Sequence, residues 1–255
     1  MPDPDQRWQD STRQRAFDIA AEVFEGYERR SRTGRALRWQ ITRADLLSDL
    51  DQFLTADERY RLEARSRPER VEWAFGTGAE TDPVRVDLGD GRQLKLSGRA
   101  DRVDRAEDGR VLVFDYKTGK ADRYRALDVD AVGAGTKLQL GLYAQAALAH
   151  LGADRAAAYY WFISSDGGFK QHGYDWDQAR QQRLVSVVSA ITTGIEQGVF
   201  SAVPGEWNHY FAAHEGCRYC PFDRVCPRER SEMADAKAAD PRLAIRAALN
   251  MASSP

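Results

Sequence analysis

The chain has 255 residues, of which 42% are hydrophobic and 30% charged, with 37 Lys+Arg against 39 Asp+Glu for a net charge of −2. That length fits one large domain with a real core, and the even charge excludes a surface that attracts nucleic acid everywhere, though not a local patch or a metal-assisted grip. No apolar run approaches the ~18–20 residues of a membrane span. The acidic, polar start Met1-Pro2-Asp3-Pro4-Asp5 is no signal peptide. The expected compartment is the cytoplasm, where the three cysteines read as ligands rather than disulfide partners.

Residues 7–32 read as a helix, with Phe17, Ala20, Ala21 and Phe24 in an apolar stripe that Gly34 ends. A second helix is expected over residues 42–65, capped by Thr42 and closed by Pro68, with Leu46, Leu47, Leu50, Phe53 and Leu54 on its buried face. Strands follow. Residues 71–75 alternate, placing Val71, Trp73 and Phe75 on one side. Glu72 on the other side reads as solvent-facing, with assistance to a neighbouring metal site as the lesser reading. Residues 84–88 form a short strand, Asp90-Gly91 a turn, residues 93–104 a long strand and residues 111–116 its partner. Residues 120–135 read as an irregular loop in which Lys120, Arg123 and Arg125 surround Tyr124. Such charges suit a solvated loop or a phosphate-contacting flap equally.

Thr136 is the expected cap of an apolar helix over residues 137–150, buried against the sheet, with Gln139 and Tyr143 four apart on one face. Residues 156–164 form an aromatic strand and Gly167-Gly168 a turn. Residues 177–197 form a third long helix with Leu184, Val187, Val188, Ile191 and Ile195 inside. A weak helix in the tail, residues 234–252, has Asp240-Pro241 as a reasonable start. The expected layout is one domain: a helical region over 1–70, a sheet core over 71–165, and C-terminal helices with a cysteine cluster over 166–255.

The chemistry concentrates in one hairpin. Asp108-Gly109 is a turn signal between Gly98-Arg99-Ala100-Asp101-Arg102-Val103-Asp104 and Val111-Leu112-Val113-Phe114-Asp115-Tyr116-Lys117. Centring the hairpin near Asp108 sets Asp101 opposite Asp115, with Lys117 on the same face. Paired strands lie about 4.7–4.9 Å apart, so the two carboxylates can share one hard cation beside a fixed ammonium. Such a site suits phosphodiester hydrolysis.

All three cysteines fall in Cys217-Arg218-Tyr219-Cys220 and the following stretch to Cys226. This C-x2-C-x5-C spacing is ligand-like, but a closed site needs four donors. His214 or His209 would complete a zinc site.

The order Gly-x-x-Asp-Arg-x-Asp, then Asp-Tyr-Lys-Thr-Gly, then Gln-Leu-x-x-Tyr resembles the PD-(D/E)xK nuclease superfamily. It is most similar to the RecB-type nuclease domain that closes the AddB subunit of bacterial helicase–nucleases, over residues 71–230. The resemblance implies an α/β fold with a restriction-endonuclease-like mixed sheet flanked by helices. It implies a Mg²⁺- or Mn²⁺-dependent deoxyribonuclease acting in DNA repair or recombination with a helicase partner. Asp101, Asp115 and Lys117 would be catalytic, and Asp101, Asp115 and the Tyr116 carbonyl would bind the metal. Gln139, Tyr143, Lys120 and Arg123 would support the site or the DNA. Cys217, Cys220 and Cys226 would hold a [4Fe–4S] cluster together with an upstream cysteine. This sequence has no upstream cysteine, and no histidine precedes His150, where the family places a ligand in Gly-x-x-x-His. The expectation is therefore a chain that begins partway into the domain. A catalytically inactive DNA-binding or scaffolding module is the rival reading.

Overall fold

The computed structural model describes residues 3–200, 203–222, 225–245 and 249. Two helices, α1 (Asp10–Arg29) and α2 (Ala36–Ala64), pack antiparallel. Phe24 meets the edge of Trp39 near their connection, and Arg13 reaches Asp51 farther along. The Phe24–Trp39 contact carries α2 back to Ala36, six residues before the expected start at Thr42. Leu46, expected inside, is exposed.

Arg65 closes α2 in the left-handed conformation, φ 47°, and the chain passes directly into β1 (Ser66–Phe75). Pro68 therefore stands inside a strand rather than beyond a helix. It is tolerated because β1 is an edge strand, and the register shifts between Pro68 and Arg70. The expected alternation fails at Val71, which is exposed, because Glu72 adopts φ 49°. Trp73 and Phe75 are buried as expected.

The expected long strand divides at Ser97. β3 (Gln93–Leu96) pairs with β2 (Val84–Asp87) in a small sheet, and β4 (Gly98–Ala106) enters the main one. The main sheet has five strands in the order β1-β4-β5-β6-β7, with β5 (Val111–Lys117), β6 (Ala156–Phe162) and β7 (Gln171–Asp175). Only β5 and β6 run parallel, joined through α3 (Gln139–His150). Strand alternation gives the sheet two cores. Val103, Val113, Ala158 and Tyr160 pack with Leu140, Ala144 and Ala147 of α3. Leu112, Phe114, Ala157 and Trp161 pack with Phe53 and Tyr60 of α2.

The stretch expected to be irregular after Lys117 holds two 3-10 turns, Asp122–Asp128 and Gly133–Gly135, and buries Leu127, Ala131 and Val132. Thr136 does not cap α3; its hydroxyl donates to the Gly133 carbonyl at 2.7 Å, and Leu138 stands at the N-cap. Helix α4 (Gln178–Glu196) is capped by Asp177, which accepts the Arg180 N–H at 2.8 Å. Ile195, expected inside, is exposed. Two short strands, β8 (Trp207–Asn208) and β9 (Ala213–His214), and α5 (Arg230–Ala236) complete the C-terminal part. Asp240 caps a 3-10 turn at Pro241–Leu243, whereas residues 246–248 and 250–252 of the expected tail helix lie outside the described residues. Among the described residues no helix is long and apolar enough to cross a membrane.

Candidate active site

The β4–β5 ladder pairs Arg105 with Val111, Asp104 with Leu112, Val103 with Val113 and Arg102 with Phe114. One step further in that register sets Asp101 against Asp115. There the Asp101 carboxylate takes over from the ladder, accepting the Tyr116 backbone N–H at 2.6 Å. The bond fixes Asp101 at the end of the hairpin.

Asp115 is 5% exposed. Its buried Oδ2 accepts no hydrogen bond among the described residues and stands against the Lys117 ammonium in an ion pair. Burial raises the Asp115 pKa above the ordinary carboxylate value; Lys117 opposes that shift, and the Asp101 charge adds to it. Lys117 keeps a route to solvent, and its ammonium lies 5.0 Å from the centre of the Tyr160 ring.

The α3 face closes over this pair. Tyr160 Oη donates to Gln139 Oε1 at 3.3 Å, and Gln139 Nε2 donates to Tyr143 Oη at 3.4 Å. Burial, and after it the Asp115 charge, raises the pKa of both tyrosines, so each stays a neutral phenol. Gly98 makes room for the wall. A Cβ there would stand 2.7 Å from Phe75 Cζ and 3.0 Å from Tyr143 Cε1, which explains the glycine of the Gly-x-x-Asp motif.

The structure thus brings together Asp101, Asp115, Lys117, Gln139 and Tyr143. Tyr116 turns its side chain to the opposite face, where Oη lies 3.5 Å from Arg102 Nη1, so only its backbone can serve the site. Lys120 is exposed, and Arg123 lies in a 3-10 turn with its side chain outside the described residues. Tyr124 is anchored against Tyr160 and Phe162 and under Lys137. Glu72 pairs with Arg99 at 3.5 Å, both well exposed. Tyr160 was not singled out in the sequence. It stands beside Asp115 only because β6 pairs in parallel with β5 through a crossover, and no local pattern gives that register.

Behind the hairpin the α2 face is ionic. Arg102 binds Asp104 through two 2.6 Å hydrogen bonds and also pairs with Asp57 of α2. Asp57 accepts from Arg61 at 3.1 Å and from Trp8 Nε1 at 2.6 Å. Burial works against the Arg102 charge, but Asp104 and Asp57 more than offset it and raise its pKa.

Cys217, Cys220 and Cys226 line one cavity of about 560 Å³, together with Val199 and Met233. Both ring nitrogens of His214 are engaged: Nδ1 lies 3.0 Å from the Gly205 carbonyl and Nε2 3.1 Å from Ser231 Oγ. Among the described residues no group of three or more His, Cys, Asp or Glu is placed to hold a metal ion. The hairpin offers two carboxylates, and that donor set suits a hard cation that keeps several waters. The orphaned Asp115 Oδ2 fits that use.

The fold and this centre define a class. The PD-(D/E)XK nuclease superfamily profile matches residues 2–227, and the chain belongs to that superfamily. Its more specific relatives are proteins named as the AddB-type component of an ATP-dependent helicase/deoxyribonuclease. The one from Moorella thermoacetica is 36% identical over 114 residues, 44% of this chain and 10% of the relative. The one from Symbiobacterium thermophilum is 39% identical over 112 residues, 42% of this chain and 9% of the relative. The matched segments thus span about a tenth of these relatives. Among solved structures, that of SSO0001 covers 82% of this chain and 80% of its own, with a TM-score of 0.34 and 17% identity.

Proposed function

We propose that this chain hydrolyses DNA phosphodiester bonds with Mg²⁺ or Mn²⁺, and that Asp101, Asp115 and Lys117 carry the reaction. The observation behind this is the buried, unbonded Asp115 oxygen beside Asp101 and Lys117 at the end of one hairpin. DNA as substrate, a helicase as partner and a role in repair or recombination come from the relatives' names and from the sequence resemblance.

Asp101 and Asp115 would hold the cation with the Tyr116 carbonyl. When bound, the cation offsets charge on the phosphate and makes a water nucleophilic near neutral pH. Asp101 is held against rotation by the Tyr116 N–H, so its charge is aimed before substrate arrives. The Lys117 ammonium neutralises negative charge that builds on the phosphate as water adds and the ester P–O bond breaks. Gln139, Tyr143 and Tyr160 wall the centre with neutral, mutually hydrogen-bonded groups that do not compete with the phosphate for the ammonium.

The assay is cleavage of labelled DNA by residues 1–255 with Mg²⁺, Mn²⁺ or chelator. Asp101→Ala, Asp115→Ala and Lys117→Ala should each abolish metal-dependent cleavage. Undiminished cleavage by any of them would remove that residue from the reaction, and a folded wild type that binds DNA without cutting it would favour the scaffolding alternative.

The cysteines belong to the same proposal. Three thiols on one cavity suit a [4Fe–4S] cluster whose fourth ligand is not among this chain's cysteines. The engaged ring of His214 argues against zinc there. Protein purified without oxygen should be brown and contain iron, and Cys217→Ala should bleach it. Stoichiometric zinc without iron would support a histidine ligand instead.

A further inference from the structure

Between Glu28 and Asp45 stand six arginines, Arg29, Arg30, Arg32, Arg35, Arg38 and Arg43, and no acidic residue. The whole chain has a net charge of −2, so everything outside this stretch amounts to −8. Three of the six are engaged. Arg29 pairs with Glu25 and Arg43 with Glu28, each at 3.5 Å, and Arg30 donates to the Gly26 carbonyl at 2.8 Å. Arg32, Arg35 and Arg38 are exposed, and among the described residues their side chains make no hydrogen bond, ion pair or ring contact. Like charges set this close repel one another, and a merely solvated helix interleaves the two signs.

The position of these charges follows from the packing of α2. Tyr60 meets Phe114, Phe53 meets Tyr116 and Trp161, and Asp49 accepts from the backbone N–H of Ser165, just past the end of β6. Moving toward the N-terminus of α2 is therefore moving toward the end of β5 that carries Asp115 and Lys117. Arg38 and Arg35 lie eleven and fourteen residues before Asp49, about three and four turns at 3.6 residues per turn. They continue the face that touches Ser165, roughly 16 and 21 Å beyond it at 1.5 Å per residue.

We infer that the arginine tip of the α1–α2 arm binds the sugar-phosphate backbone of DNA about five or six nucleotides from the phosphodiester held at Asp101 and Asp115, at 3.4 Å per nucleotide. The inference rests on the nuclease reading of that centre. Guanidinium groups match phosphate oxygens in charge and in their fork of donors. An arm that meets only phosphates holds DNA of any sequence, positioning the strand without reading it.

The test is anisotropy of a short labelled duplex in chelator, where no strand is cut, across a salt series. Compared with wild type, Arg32→Gln/Arg35→Gln/Arg38→Gln should bind about tenfold more weakly near 0.1 M salt, with a log–log salt slope smaller by about 2–3. The corresponding triple Lys variant should keep the slope, because the slope counts charges. Equal urea midpoints for all three proteins establish that the fold is unchanged. A triple Gln variant with wild-type affinity and slope overturns the arm and assigns its charge to a protein partner. The two readings fail separately. DNA cut in Mg²⁺ with an unchanged slope removes the arm alone, while a reduced slope with no cutting by the wild type removes the nuclease centre alone.

Discussion

At Asp115 the needs of folding and chemistry conflict. Its carboxylate is buried against one ammonium, with a second carboxylate nearby, and its pKa is raised. A folded state that holds the proton more tightly than the unfolded chain is favoured at low pH and loses that advantage as pH rises through the raised value. Ionised Asp115 therefore costs stability near neutral pH. Asp115→Asn should melt a few degrees above wild type near pH 7, and the gap should close as pH falls toward about 4. Calorimetry across that range measures it; a variant that melts lower throughout would show that the Lys117 pair stabilises the fold. The acid limb of the cleavage rate should likewise lie above the ordinary carboxylate value of about 3.9, because the cation needs Asp115 ionised. Gly98 shows the same conflict in steric form: Gly98→Ala should displace Phe75 or Tyr143 and lower cleavage.

Among the elements, the β4–β5 hairpin was legible down to its register. Asp108-Gly109 names its turn, and Gly109 adopts φ 83° there. Elements decided by distant partners were not legible. Thr42 is a good cap by type, yet α2 begins earlier because Trp39 packs on Phe24. Strand β7 has the polar sequence Gln171-His172-Gly173-Tyr174-Asp175 and no clean alternation. It forms because it pairs with β6, so closely that a Cβ on Gly173 would stand 2.0 Å from the Ala158 carbonyl oxygen. The Arg102–Asp57 pair was equally hidden, since it joins the hairpin to a helix 45 residues away. That pair gives an element-scale prediction. Asp57→Ala leaves Arg61 and Arg102 buried with fewer partners and should cost about 3–5 kcal/mol in urea unfolding. A loss below about 1 kcal/mol would mean that Asp104 alone satisfies Arg102.

For the whole molecule, one sheet separates three kinds of surface. Its α3 face carries the carboxylates, its α2 face an ionic brace, and the arm beyond its end the unpaired arginines. The net charge of −2 concealed this division, because the arm's positive charge is cancelled elsewhere along the chain. The cysteine segment lies outside the sheet, and its spacing was readable as ligand-like while its metal was not. The claim on which the rest depends is that the hairpin centre cuts DNA. Single-turnover cleavage of DNA in Mg²⁺ by wild type and Asp115→Asn, with both shown folded, tests it most directly. The expected result is cleavage by wild type that chelator stops, and none by a variant that is at least as stable. Equal cleavage by the two proteins would contradict the account.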